Sequence, residues 1–178
     1  LIWRTDAQHR VFSINADMRI ELPVLRGLAF GLTSGAITTL GLMVGLYSGT
    51  HSKLAVMGGI LTIAIADAMS DALGMHLSEE FAAPLAARQV WLTTLVTFCA
   101  KLAMALTFAL PLLLLSLDHA IWASVAWGIL VVGVLSASIA RTQGVSIWKV
   151  VAEHLIITIL VILATYGVGS VIEDWTLA

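Results

Sequence analysis

Charge is what this sequence has least of. Asp, Glu, Lys and Arg make up only 11% of its 178 residues, against about a quarter in an ordinary soluble domain. A soluble fold with so few charges could not hydrate its surface. That excludes a soluble enzyme, a disordered chain and a nucleic-acid binder together, and a net charge of −2 offers nothing to a polyanion. Cysteine is absent except for Cys99. There is therefore no disulfide framework and no cysteine-based zinc site. Cys99 lies midway along an apolar run, which predicts a buried, inert thiol. Nucleophile elbow, HExxH and glycine-rich phosphate loop are all missing, so neither enzymatic activity nor a bound cofactor is expected.

What the chain does have is hydrophobic length. Apolar residues make up 60% and the mean hydropathy is +1.00. A membrane-spanning helix needs about 20 mostly apolar residues. Five stretches qualify, at Pro23–Ser48, Leu54–Ser78, Val90–Leu117, Ala120–Ala140 and Ile147–Ile172, with Pro111 near the far end of the third. The fold class is thus all-α, a polytopic protein of the lipid bilayer with five transmembrane helices over 23–178. The connections Gly49–Lys53, Glu79–Gln89, Asp118–His119 and Arg141–Ser146 are too short for a soluble domain. Trp91, Trp122, Trp148 and Trp175 fall near proposed interfaces, where amphipathic rings prefer to sit, and Trp127 lies deeper. Residues 1–22 read as a polar lead-in, either an interfacial helix or the stub of an upstream domain.

Seven cations (Arg4, Arg10, Arg19, Arg26, Arg88, Arg141 and Lys149) fall on one side of these spans and only Lys53 on the other. The positive-inside rule then places the N-terminus in the cytosol and the C-terminus outside, in the plasma or inner membrane if the source is prokaryotic.

The first span carries Gly27, Gly31, Gly35, Gly41, Gly45 and Gly49 within about 120° of helical arc, with Ser34 and Thr38 on the same face. Small residues four apart let two backbones approach closely in lipid. This face predicts either close helix packing within the chain or a dimer seam or pore lining.

Ionisable groups inside a bilayer are costly and point to function. The second span holds Asp67 and Asp71, four apart and so on one face, and Gly74, Met75 and Ser78 continue that stripe towards the cytosol. At 1.5 Å per residue Asp67 lies roughly 16 Å, and Asp71 roughly 10 Å, from the cytosolic end. Lys101 in the third span reaches the depth of Asp67, so those two could form a structural charge pair. Glu153 and His154 in the fifth reach the depth of Asp71, while Lys149 and Glu153 could instead pair at the interface. Two carboxylates with Glu153, His154 and Met75, helped by Ser34 and Thr38 of the first span, would suit a divalent ion such as Fe²⁺, Mn²⁺, Co²⁺ or Zn²⁺. His76, Glu79 and Glu80 would form its cytosolic mouth. No partner for Asp71 is evident from the sequence.

RGLAFGLTSGAITTLGLMVGL (Arg26–Leu46), ADAMSDALGMHLSEE (Ala66–Glu80) and SIWKVVAEHLIITILVILATYGVGSVI (Ser146–Ile172) resemble the vacuolar iron transporter (VIT/CCC1-like) family. The resemblance covers most of residues 23–172. It implies a homodimer that carries Fe²⁺ or Mn²⁺ in exchange for protons, along the interface of the first two helices. The departures are specific. Ser34 stands where members commonly have Asp, and Ser70–Asp71 where they have Ser–Met. Gly74–Met75–His76 replaces Gly–Glu–Tyr, and the cytosolic metal-binding domain between helices two and three is absent. The acidic ligands have in effect moved to the second helix, with a thioether at Met75.

The expected function is therefore proton-coupled export of a divalent metal, with metal and protons as its small partners. The alternatives are a non-transporting membrane scaffold, in which Asp67 and Lys101 lock two helices, or a proton-coupled carrier of another small solute.

Overall fold

A computed structural model describes residues 3–82 and 87–177, with side chains placed for 22–81 and 87–176. The described residues form α1 (Trp3–Thr50), α2 (Lys53–Ala82), α3 (Ala87–Thr107), α4 (Ala109–Leu114), α5 (Leu117–Gln143) and α6 (Ile147–Leu177). Five segments are long and apolar enough to cross a membrane, and α3 with α4 makes up the third. The all-helical expectation therefore stands among the described residues, and the helices run further than the apolar runs did. Glu79 and Glu80 belong to the last turns of α2 rather than to a loop, and Asp118 and His119 to the first turn of α5. α1 continues through Pro23.

The chain ends its helices by local chemistry. Ser52 caps α2, its Oγ accepting the Ala55 N–H at 3.2 Å, as a hydroxyl at that position should. Gly144 ends α5 at φ 67°, the left-handed region where glycine carries no side-chain penalty, and the Val145 N–H returns to the Ala140 carbonyl at 3.1 Å. The interruption between α3 and α4 follows from Pro111, which cannot donate to the Thr107 carbonyl and crowds it. Trp127, the one deep tryptophan, donates its Nε1–H to the Thr107 hydroxyl at 3.1 Å, beside that interruption.

α1 is the central post. Half of its apolar window is buried, against 22% for α2 and 11% for α6. It packs on α3, α6, α2 and α5, and its glycines explain how. An added Cβ on Gly31 would lie 2.7 Å from the Thr97 carbonyl of α3, and one on Gly49 would lie 3.1 Å from the Gly169 carbonyl of α6. Gly27, Gly31 and Gly35 serve the α3 contact, while Gly41, Gly45 and Gly49 serve α6. The glycine face is therefore used for close packing within the chain. The outward faces carry the large apolar side chains, and Trp91, Trp122, Trp148 and Trp175 project from helix ends at 64–84% exposure. Cys99 is exposed on the outer face of α3, contrary to the buried thiol expected, because its neighbours Ala100 and Lys101 take the inward positions.

At the end bearing His51, three polar contacts tie the helices together. The Tyr47 hydroxyl donates to Asp118 at 2.8 Å, His51 Nε2 lies 3.2 Å from Glu173, and Lys53 donates to the Leu115 carbonyl at 2.9 Å.

Candidate intramembrane cation site

Lys101 is the largest fully buried side chain among the described residues. It lies on the inward stripe of α3, in register with Thr93, Thr97 and Met104. Its Nζ is 2.6 Å from Asp67 Oδ2 and also pairs with Asp71 Oδ2. A third N–H donates to the Ser34 hydroxyl at 3.0 Å, so all three ammonium donors have partners. Ser34 in turn donates to Asp71 Oδ2 at 2.7 Å. The Thr38 hydroxyl, whose single proton is shared with the Ser34 carbonyl at 2.9 Å, donates to Asp67 Oδ2, also at 2.9 Å.

The cluster therefore joins α1, α2 and α3 around one point. Each helix supplies what its pattern allows: two hydroxyls four apart from α1, two carboxylates four apart from α2, and one cation from α3. Two carboxylates against one ammonium leave a formal charge of −1, softened by the hydroxyls. The members are not equally enclosed. The Lys101 side chain is 2% exposed, but Asp67 is 26% and Asp71 23% exposed.

That opening lies on α2. Six small residues four apart (Gly58, Thr62, Ala66, Ser70, Gly74 and Ser78) run along its outer face, all exposed, and among the described residues nothing outside α2 comes within 4 Å of a Cβ added at Gly58 or Gly74. This stripe has the spacing that permits close helix approach in lipid. It was readable in the sequence, but the more numerous glycines of α1 overshadowed it.

The other predicted site residues separate into groups. Met75 lies one turn beyond Asp71, half-buried. Glu79 is buried and held by Arg26, whose Nη1 reaches both carboxylate oxygens at 3.1 Å. His76 Nδ1 lies 2.9 Å from the Thr94 hydroxyl. That hydroxyl donates its only proton to the Val90 carbonyl at 2.8 Å, so His76 Nδ1 is the donor. Its Nε2 faces Glu80 at 3.5 Å, and its ring meets Trp91 edge-on, centroids 4.7 Å apart. The three mouth residues are thus individually paired near the end of α2.

Glu153 and His154 are not brought to the aspartates. α6 packs against α1 and α5, whereas α2 packs against α1, α3 and α4. His154 Nδ1 sits 3.0 Å from the Ser136 hydroxyl of α5. That hydroxyl already donates to the Val132 carbonyl at 2.6 Å, so this histidine also donates from Nδ1. Glu153 and Lys149 are both exposed. Among the described residues no group of three or more His, Cys, Asp and Glu is placed to hold a metal ion. The site is a carboxylate pair with two hydroxyls and an internal cation: of the expected residues it gathers Asp67, Asp71, Ser34 and Thr38, and it leaves Glu153 and His154 on another helix.

No family profile, no curated protein and no solved structure matches this chain.

Proposed function

We propose that this protein is a membrane transporter of divalent metal cations, Fe²⁺ or Mn²⁺, that exchanges them for protons and exports them from the cytosol. One observation carries the reading: Asp67 and Asp71 converge on a single cation position, and each keeps about a quarter of its side chain open on the uncovered face of α2. A converging carboxylate pair is a cation site by construction, and the Lys101 ammonium marks the spot. Lysine is a point charge on a flexible four-carbon stem. It serves as a tethered stand-in that withdraws when a mobile cation arrives, and Ser34 and Thr38 add oxygen ligands suited to a hard ion. Met75 offers a thioether one turn along the same helix. Protons neutralise the carboxylates for the return step.

The open aspartates also support a homodimer. A carboxylate facing hydrocarbon is costly, and a second copy laid on the small-residue stripe of α2 would cover both. The cation path then runs along α2 at the dimer seam, approached past His76, Glu79 and Glu80 from the cytosol. That orientation rests on the excess of cations at this end.

A scaffold without transport is the second reading. Its support is the closure of Lys101, whose three donors are all satisfied in a 2% exposed setting. Metal-dependent stability separates the two. A ligand that binds only the folded state stabilises it by about 2.7 kcal/mol at a concentration of 100 Kd. The transporter predicts a Tm that rises with Mn²⁺ concentration in wild type and not in Asp67→Asn/Asp71→Asn. A Tm indifferent to Mn²⁺ and Fe²⁺ in wild type would favour the scaffold.

A further inference from the structure

A cavity of about 480 Å³ opens between α1 and α5 at the cation-rich end of the bundle, away from the aspartate site. Its walls are the α1 stretch Leu22–Leu32 together with Leu135 and Ile139 of α5, and its polar members include Arg26 and Gln143. The origin of the gap is the division of labour on α1. In this half of the helix the glycines draw α1 onto α3, and in the other half they draw it onto α6.

Length and lining select an occupant. The eleven residues Leu22–Leu32 of α1 span about 15 Å, half of a hydrocarbon core about 30 Å thick and so one leaflet. The cavity walls over that length are mostly leucine, isoleucine and alanine side chains, a lining that suits a hydrocarbon chain. The polar members decide the headgroup. Ser138 and Thr142 spend their protons on the Val134 and Ile139 carbonyls, both at 2.8 Å. The donors left over are the Gln143 amide and the Arg26 nitrogens other than Nη1, which Glu79 holds. Among the described residues no carboxylate lines the cavity itself. Arg141, exposed on the last turn of α5, adds a positive charge at the same end, beside an Arg26 whose own charge Glu79 balances.

We propose that this crevice is a binding site for one anionic phospholipid, with an acyl chain between α1 and α5 and its phosphate at Arg26 and Gln143. Basic pockets between transmembrane helices are known to take such headgroups. The site stands apart from the aspartate pair and meets the cation reading only through Arg26, the partner of Glu79.

The test uses the full chain in detergent, with phosphatidylglycerol and phosphatidylcholine of equal chain length, followed by native mass spectrometry and thermal shift. The expected result is one phosphatidylglycerol retained per chain and a larger Tm rise with it than with phosphatidylcholine. Ala29→Trp, which fills the crevice, should lose the bound lipid. Gln143→Glu, at an exposed position that does not endanger folding, should weaken phosphatidylglycerol at least fivefold and leave phosphatidylcholine unchanged. Equal retention of the two lipids by wild type would overturn the proposal, as would unchanged phosphatidylglycerol binding in Gln143→Glu.

Discussion

Lys101 and Asp67 meet at 2.6 Å although they are 34 positions apart, and the same ammonium also pairs with Asp71. One buried cation thus serves two carboxylates. This makes the aspartates partly redundant as partners of Lys101. Asp67→Asn or Asp71→Asn alone should destabilise the fold by only about 1 kcal/mol. Removing both leaves a buried ammonium unpaired and should cost about 3–5 kcal/mol. Chemical unfolding of the solubilised protein checks this. Additive single effects would mean that the two pairings are independent.

The crossings of α1 with α6 and α3 give a sharper packing test. A Cβ on Gly169 would overlap the Ser48 hydroxyl and the Gly45 carbonyl, while Gly167 and Gly133 have open space. Gly169→Ala and Gly31→Ala should each lose about 1–3 kcal/mol through overpacking. Gly167→Ala and Gly133→Ala should be neutral or slightly stabilising, since alanine is the better helix former. Thermal denaturation of the four variants ranks them.

Arg26 and Glu79 are unequal partners, with side chains 50% and 7% exposed. Arg26→Gln strands a buried carboxylate and should cost about 2 kcal/mol. Glu79→Gln releases an arginine that can reach the interface and should cost under about 1 kcal/mol. The reverse order in denaturation midpoints would show that the arginine is the enclosed member.

If two copies meet on α2, the stripe should be reachable by cross-linking. In a Cys99→Ser background, Ser70→Cys should give disulfide-linked dimers in membranes. Leu163→Cys, on the lipid-facing side of α6 at 61% exposure, should not. Gly74→Leu, with no neighbour inside the chain, should abolish the cross-link while leaving the monomer folded.

The sequence revealed depth better than direction. Apolar length and the spacing of charges along each helix placed five spans, and put Asp67 level with Lys101, because rise per residue is nearly fixed. What a single sequence does not fix is how each helix is rotated and which neighbour it meets. Lys101 was therefore matched to Asp67 by depth, while its second partner, Asp71, lay one turn away and was missed. Glu153 and His154 had the right depth but stand on a helix that packs elsewhere. Cys99 failed for the same reason, being one residue out of phase with the inward stripe. The α1 glycines were legible as a close-packing face, but not which helix would use them.

The central claim is that the Asp67–Asp71 pair carries a mobile cation. Its most direct test is Fe²⁺ and Mn²⁺ flux into proteoliposomes with an internal pH dye, comparing wild type, Asp67→Asn and Asp71→Asn. The account predicts metal uptake with protons moving the opposite way in wild type, and loss of both in Asp71→Asn with the protein still folded. No flux of either metal through folded wild type, or undiminished flux in both variants, would contradict it.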